Sequence, residues 1–425
     1  MDYESLKGFR DFYPREMRSR QRVFSEIAET ARRHGFREIG TPALEPLELF
    51  EVKSGAEIVE ETYSFQDKGG RDVTLVPELT PSVVRMFVAK KQELSKPVRW
   101  FSMPRLWRYE QPQSGRLREF FQPNFDIFGV SGIEADAEVI AFAHKVLSNL
   151  GLEDDYVFRV SHRDVIQGVV GEFDVTESQE DEIYRVVDKS ERLDHSELRK
   201  RLEESGLSIE EAEQLISVTE RKGGTDELDT LRYNTGSELA HEGLEELRKL
   251  WDVLDDYGVS DVCIFDPSIV RGFDYYTGTV FECFDPDGDL RAIFGGGRYD
   301  DLVETFGGQS TPAVGFGIGD ATLELLMKQS DVWPAEEHRT DYYVAVIGDV
   351  RDTAIVVADS LRDDGYVVEM DVTSRGFSGQ LERADRMNAE NTVIVGERDL
   401  ADGVVTVKDM ESGDQEQVPV EEFVG

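Results

Sequence analysis

The chain has 425 residues and a mass of 48.1 kDa, enough for about two to four domains. With 39% hydrophobic and 32% charged residues its composition is that of a folded soluble protein, and no apolar run approaches the ~18–20 residues that cross a bilayer. The formal charge of −41 comes from 88 acids against 47 bases, spread along the chain instead of gathered in a tail, and only 13 of those bases are lysines. An even acidic coat poor in lysine points to adaptation to concentrated salt, where the Debye length falls to ~3 Å at 1 M and self-repulsion is screened. An ordinary acidic enzyme is the alternative. Taken alone, the charge argues against a nucleic-acid partner, because affinity for a polyanion usually comes from basic residues.

The opening MDYESLKGFRDFYP has neither a basic stretch nor an apolar one, so no signal peptide is expected. Cys263 and Cys283 lie far apart without CxxC spacing, which speaks against a disulfide framework or a cysteine zinc site and for a reducing cytoplasm.

Glu16 to Arg33 has helical periodicity, with Val23, Ile27 and Ala31 on one face, and the strand-like FREIGTPAL follows Gly35. Residues 97–128 read as two strands around the polar turn QPQSGRLRE. Residues 171–240, dense in acids and helical in period, read as an insertion between core segments at 1–170 and 241–328. VWPAEEH marks a linker within 329–340. From 341 to 425, strands alternate with helices: YYVAVIG, DTAIVVADSLRDDG, YVVEMDV, GQLERADRMNA, NTVIVGE, GVVTVKDM. That pattern implies a small α/β domain with a mainly parallel sheet.

Four constellations carry chemistry. In RYEQPQSGRLREFFQPNFDIFG (108–129), a strand over 105–110 would put Arg108 and Glu110 on one face, and the return strand would do the same for Gln122, Asn124 and Asp126. Arg116 and Arg118 sit in the turn and Phe120 follows; guanidinium forks suit phosphate, and an aromatic ring can stack on a base. A solvated sheet face would look the same. In VPELTPSVVR, Glu78 and Thr80 share parity and could hold an ammonium group, or Thr80 could simply cap the helix that follows. VRGFDYYTGTVFECF (270–284) and AIFGGGRYDDLV (292–303) suggest a close-fitting polar pocket, or an aromatic strand core with a tight turn. The GGG run has neither GxGxxG spacing nor a Gly-Lys-Ser/Thr ending, which excludes dinucleotide-fold and P-loop readings. TPAVGFGIGDATLELL (311–326) runs from a glycine-spaced strand into a helix whose start, near Asp320, is a general anion site or only close packing. The six histidines show no paired ligand spacing, so no zinc site is expected.

Taken in order, these blocks resemble the class II aminoacyl-tRNA synthetases, specifically the histidyl-tRNA synthetase family. KGFRDFYP is similar to that family's N-terminal block, FREIGTPALEPLELF to its dimer-interface motif and 108–129 to its ATP-binding motif. RGFDYYTG and GGGRYDDLV resemble its two histidine-recognition motifs, and the α/β tail its anticodon-binding domain. The resemblance implies an α+β fold. Its core would be an antiparallel sheet flanked by helices, followed by the α/β anticodon-binding-like domain. It implies a cytoplasmic ligase that joins L-histidine to tRNA-His, works as a homodimer and uses ATP with Mg²⁺, with no zinc, redox cofactor or membrane.

Carried onto this sequence, the resemblance gives Arg108 the α-phosphate, Glu110 the adenine amino group, Phe120 the adenine ring and Arg116 the outer phosphates. Glu78, Thr80 and Gln122 would hold the histidine ammonium, and Asp126 with Tyr275 and Tyr276 would surround the imidazole. Arg271 would bridge substrate carboxylate and α-phosphate, which needs a bend near Gly272; with Arg108 it is the catalytic expectation. Gln113 and Arg118 would meet the acceptor end of the tRNA, and Arg375 and Arg383, with Arg386, its anticodon. Two departures stand out. Asp126 replaces the family's usual Glu, and the third motif reads Gly319-Asp320-Ala321-Thr322-Leu323, with Thr322 where the family has an arginine for the γ-phosphate. Arg298 or Mg²⁺ would then take over that role. The competing reading is a catalytically inactive, histidine-binding regulatory paralogue.

Overall fold

The computed structural model describes residues 3–51, 61–270, 275–286, 288, 290–335, 340–373 and 375–423. Arg271 and the expected bend at Gly272 lie outside them, as do His338 and part of the 329–340 linker. The chain divides into two compact units, Met1–Phe12 with Arg20–Pro334, and Tyr13–Ser19 with Ala335–Gly425.

The first unit is built on an eight-stranded sheet. Across it run Arg37–Glu38, Val98–Ser102, Asn124–Phe128, Ala313–Ile318, Phe294–Arg298, Thr279–Phe284, Val157–His162 and Cys263–Phe265. All neighbours are antiparallel except the outermost pair at each edge. Because side chains alternate along a strand, register decides which residues face the ligand side and which the core. Phe101, Phe125, Phe316 and Phe281 fall on one face and join one apolar cluster with the helices Glu134–Asn149 and Glu238–Asp256. The other face carries Trp100, Asn124, Asp126 and Glu282, with Gly295, Gly297, Gly315 and Gly317 between them. Helix Thr80–Lys90 covers part of this face, packing Val83, Val84 and Phe87 against Val98, Trp100 and Phe128.

The helix predicted from Glu16 spans Pro14–Arg33 and buries Val23, Ile27 and Ala31, as its periodicity requires. FREIGTPAL is not one strand but two short ones, Arg37–Glu38 and Leu44–Pro46, in different sheets. The two strands expected in 97–128 are each broken in half. Val98–Ser102 and Asn124–Phe128 belong to the large sheet, whereas Arg105–Trp107 and Glu119–Phe121 pair only with each other. The breaks fall at Pro104 and Pro123, which have no N–H to give a ladder.

Residues 171–240 are helical, with helices Glu177–Val187, His195–Glu204, Ile209–Thr219 and Thr225–Asn234. Asp194 and Ser208 cap two of them, and Ile183, Leu202, Leu215 and Leu231 join the same apolar cluster as the sheet.

In the second unit the strand order is Val368–Met370, Thr340–Ile347, Ala389–Gly396, Val404–Asp409, Gln415–Pro419. The first three are parallel but the last two are antiparallel, so the sheet is only half parallel, not mainly so. Gln415–Pro419 has no apolar alternation because it is an exposed edge, and the sequence therefore hides it.

Candidate active site

Two cavities open on the ligand face of the large sheet. A cleft of about 780 Å³ is lined by Arg108, Glu110, Arg116, Phe120, Arg291 and Thr322, among others. A smaller one of about 470 Å³ is lined by Glu78, Thr80, Asn124, Asp126, Tyr275, Tyr276 and Tyr299. Arg108, Gln122 and Gly317 line both. The residues expected around nucleotide and amino acid are thus gathered at these two spaces, except Arg298 and except Arg271, which lies outside the described residues.

Each side chain is placed by its element. Strand Arg105–Trp107 ends before Arg108, so Arg108 and Glu110 are not on a strand as expected; they reach the cleft from the segment that follows it. The Arg108 Nε donates to the Pro77 carbonyl at 2.9 Å, and its guanidinium lies 5.5 Å from the Phe120 ring centre. Glu110 is buried, and Arg116 Nε stands 2.6 Å from its Oε2. That ion pair is not aligned as a hydrogen bond, so among the described residues this buried oxygen lacks a donor and can accept one from a ligand. Thr80 is the first residue of helix Thr80–Lys90 instead of its cap; the cap position is Leu79, with no side-chain bond. Thr80 and Glu78 line the smaller cavity.

The glycines have a measurable purpose. A Cβ on Gly317 would stand 2.0 Å from Gln122 Nε2 and 2.6 Å from Asn124 Oδ1, and one on Gly315 would stand 2.5 Å from Asp126 Oδ1. One on Gly297 would meet the Thr279 carbonyl at 2.7 Å and the Tyr276 ring at 3.0 Å. Only glycine leaves the sheet floor low enough for polar side chains from neighbouring strands to lie across it.

Sequence reasoning missed Tyr299. It is fully buried and its hydroxyl donates to Asp126 Oδ1. The signal was its place in GGGRYDD, directly after a glycine strand. Burial raises the phenols of Tyr275, Tyr276 and Tyr299 above their ordinary range, so all three are neutral hydroxyls at any physiological pH.

Two other expectations, for Arg298 and for the helix start at Asp320, are corrected. Arg298 does not reach the cleft. It shares the core-facing parity of Phe294 and Gly296, and its Nε donates to both Asp136 oxygens at 3.1 Å, with further bonds to the carbonyls of Val130 and Gly132. The helix start at Asp320 is not a vacant anion site. Asp320 itself is the anion: it is buried, paired with Arg10 at 2.8 Å and with Arg20, and it accepts from the Phe121 N–H at 2.9 Å. Arg118 braces its own turn, donating to the Glu110 carbonyl at 2.9 Å and lying over Tyr109. Gln113 is at the turn, bridged to Arg116. In the second unit, Arg375 pairs with Asp371 at 3.0 Å and Arg386 stands 3.7 Å from Glu382.

Among the described residues no group of three or more His, Cys, Asp or Glu could hold a metal ion, and no helix is long and apolar enough to cross a membrane. Cys263 and Cys283 are buried free thiols, and burial pushes Cys263 up to about 12.

This arrangement, an amino-acid-sized polar pocket joined to an arginine-lined cleft, agrees with what the chain is similar to. The profile described as "Histidyl-tRNA synthetase" matches residues 8–323, and that described as "Anticodon binding domain" matches 341–425. A "Histidine--tRNA ligase" of Natronomonas pharaonis is 54% identical over 99% of this chain and 97% of its own length. One of Haloarcula marismortui is 52% identical over 100% and 97%. Both organisms are halophilic archaea. Among solved structures, histidyl-tRNA synthetase from Nostoc sp. PCC 7120 superposes with a TM-score of 0.83 at 25% identity, covering 100% of this chain and 99% of that one. The chain belongs to the histidyl-tRNA synthetase family.

Proposed function

We propose that the chain activates L-histidine with ATP and passes the histidyl group to the 3′ end of tRNA-His. The single observation that carries this reading is the shared wall: Arg108, Gln122 and Gly317 border both the amino-acid pocket and the nucleotide cleft. A carboxylate in one is thereby brought to a phosphate in the other.

In the first step a histidine carboxylate oxygen attacks the α-phosphorus of Mg²⁺–ATP. A new P–O bond forms, the bridging bond to the β-phosphate breaks, and pyrophosphate leaves. In the second, a terminal ribose hydroxyl of the tRNA attacks the carbonyl and AMP leaves. Two anions must meet in the first step, so the protein's work is charge neutralisation and in-line positioning. Arg108 serves the α-phosphate and Arg116 the outer phosphates. Arg271 bridges carboxylate and α-phosphate. Phe120 stacks on adenine, and the Glu110 carboxylate accepts from its amino group. Glu78, Thr80 and Gln122 hold the ammonium. Asp126, already oriented by Tyr299, accepts one imidazole N–H, and Tyr276 beside Tyr275 serves the other nitrogen. A site that bonds both ring nitrogens rejects analogues lacking them by up to ~10⁴–10⁵.

We further propose a cytoplasmic homodimer formed through residues 36–50, where Arg37–Glu38 is a sheet edge and Leu44 is exposed. The core segments 1–170 and 241–328 would hold the chemistry, the turn at Gln113 and Arg118 would lie toward the acceptor end, and 341–425, with Arg375 and Arg383, would read the anticodon.

Histidine-dependent ATP–pyrophosphate exchange at high salt tests the reading. Active wild-type protein and an Arg108→Ala variant slowed ~10²–10³-fold are expected. A folded protein without exchange would favour the regulatory paralogue, for which Thr322 is the one supporting residue.

A further inference from the structure

We infer that Arg291 joins Arg116 in gripping the outer phosphates of the nucleotide, in the role that the third-motif residue Thr322 cannot fill. This deepens the proposed activity and rests on it.

Thr322 is committed to structure. Its hydroxyl donates to the Ile293 carbonyl at 2.9 Å and the Gly319 carbonyl at 3.1 Å. The polar turn closes over it: a Cβ on Gly115 would stand 2.8 Å from Thr322 Cγ2. The volume a long side chain at 322 would need is therefore occupied by the turn that carries Arg116. Arg298, the other arginine near the glycine strand, points into the core by strand parity and is held there by Asp136.

Arg291 is placed where both fail. It lies two residues before Ile293, whose carbonyl receives the Thr322 hydroxyl, so the chain brings it alongside the start of helix Asp320–Gln329. It lines the same cleft as Arg108, Arg116, Ala321 and Thr322, at the end away from the amino-acid pocket, whose walls do not include it. On its other side it borders a second cavity of about 1210 Å³, lined by Arg159, Arg192, Asp188, Glu191 and Glu282. Arg291 thus stands on the rim common to both spaces. A cleft built to take a tetra-anion needs cations along its whole length. With Arg108 at the α-phosphate end and Arg116 already beside Glu110, Arg291 is the cation that extends the row.

The alternative is a purely structural role, in which Arg291 only offsets the carboxylates of the second cavity. The test compares ligands that differ in their outer phosphates. Arg291→Ala and Arg291→Lys are assayed for exchange with ATP varied and for pyrophosphorolysis of histidyl-adenylate with pyrophosphate varied. Binding of a non-hydrolysable histidyl-adenylate analogue, which has neither β- nor γ-phosphate, is measured in parallel. Arg291→Ala should lower kcat/KM for ATP ~10²–10³-fold. It should raise KM for pyrophosphate, leave affinity for the analogue within about twofold, and be partly rescued by Lys. Equal losses for ATP and the analogue, or no loss beside an active wild type, would overturn the assignment. A wild type inactive in exchange would overturn the functional reading and this assignment together.

Discussion

Asp126 shows how one residue changes its neighbourhood. It is a methylene shorter than the acid usual in the family, and its carboxylate is met by the buried Tyr299 hydroxyl. A hydrogen bond to a charged group is worth about 1.5–3 kcal/mol, so losing it frees the acid proposed to hold the imidazole. Tyr299→Phe is expected to raise KM for histidine about tenfold, measured by exchange at limiting histidine; an unaltered KM would reduce Tyr299 to packing. Gly317→Ala addresses the floor. The new Cβ would displace Gln122 and Asn124, and misplacement by about 1 Å costs ~10² in rate. A variant with full exchange would mean that those amides do not position substrate. Of this pocket the sequence displayed the polar residues through strand parity. It could not display Tyr299, because which tyrosine reaches Asp126 depends on the pairing of three strands.

At the scale of elements, the third motif's helix is fastened by charge. Arg20 is 3% exposed and Arg10 about one-fifth exposed, and both converge on Asp320. Removing the acid leaves the buried Arg20 guanidinium, among the described residues, with only Glu324, whose side chain is one-fifth exposed, and breaking a buried pair costs about 3–5 kcal/mol. Asp320→Ala should lower the unfolding free energy measured by denaturant by that much, and a shift below about 1 kcal/mol would show that the ion cluster is superficial.

A second junction ties helix Glu238–Asp256 to the sheet. His162 Nδ1 accepts from the Asp164 N–H at 3.2 Å, so Nε2 carries the proton and donates to Glu246 at 3.0 Å. That bond holds the Glu246 carboxyl below its ordinary 4.5. A depressed carboxyl contributes stability that is present above its unfolded value and lost as pH falls through its folded value. Wild type should therefore lose more stability than Glu246→Gln when unfolding by urea is compared at about pH 7 and about pH 4; equal losses would contradict the linkage. Periodicity showed the helices here, and Pro104 and Pro123 mark the strand breaks, but the polar edge strand Gln415–Pro419 answers to its pairing partner and not to local pattern.

The whole molecule carries −41, and residues 341–425 hold 20 acids against 7 bases. At least two of those bases face acids of their own, Arg375 with Asp371 and Arg386 with Glu382. Long-range attraction for a polyanion is therefore absent from this region, and contact with tRNA must come from hydrogen bonds and stacking on unpaired bases. Such binding releases few counterions, so log K should fall only shallowly with log salt above about 1 M KCl; a steep slope would contradict it. The melting temperature should rise between about 0.2 M and about 2 M KCl as repulsion is screened.

The sequence alone determined the class of fold, the order of its segments and the identity of almost every polar residue at the site. The fold class and the site came with the family resemblance of the ordered motifs, and the separate elements with local periodicity and turn chemistry, which act over a few residues. Tertiary structure alone decided which arginine faces which side. Arg298 and Gly297 are adjacent, yet one is buried against Asp136 and the other lies on the opposite sheet face beneath Tyr276. Arg291, in no motif, lines the cleft because a hairpin folds back over the third motif's helix. Strand parity is absolute once the register is set, and the register is set by partners distant in the chain.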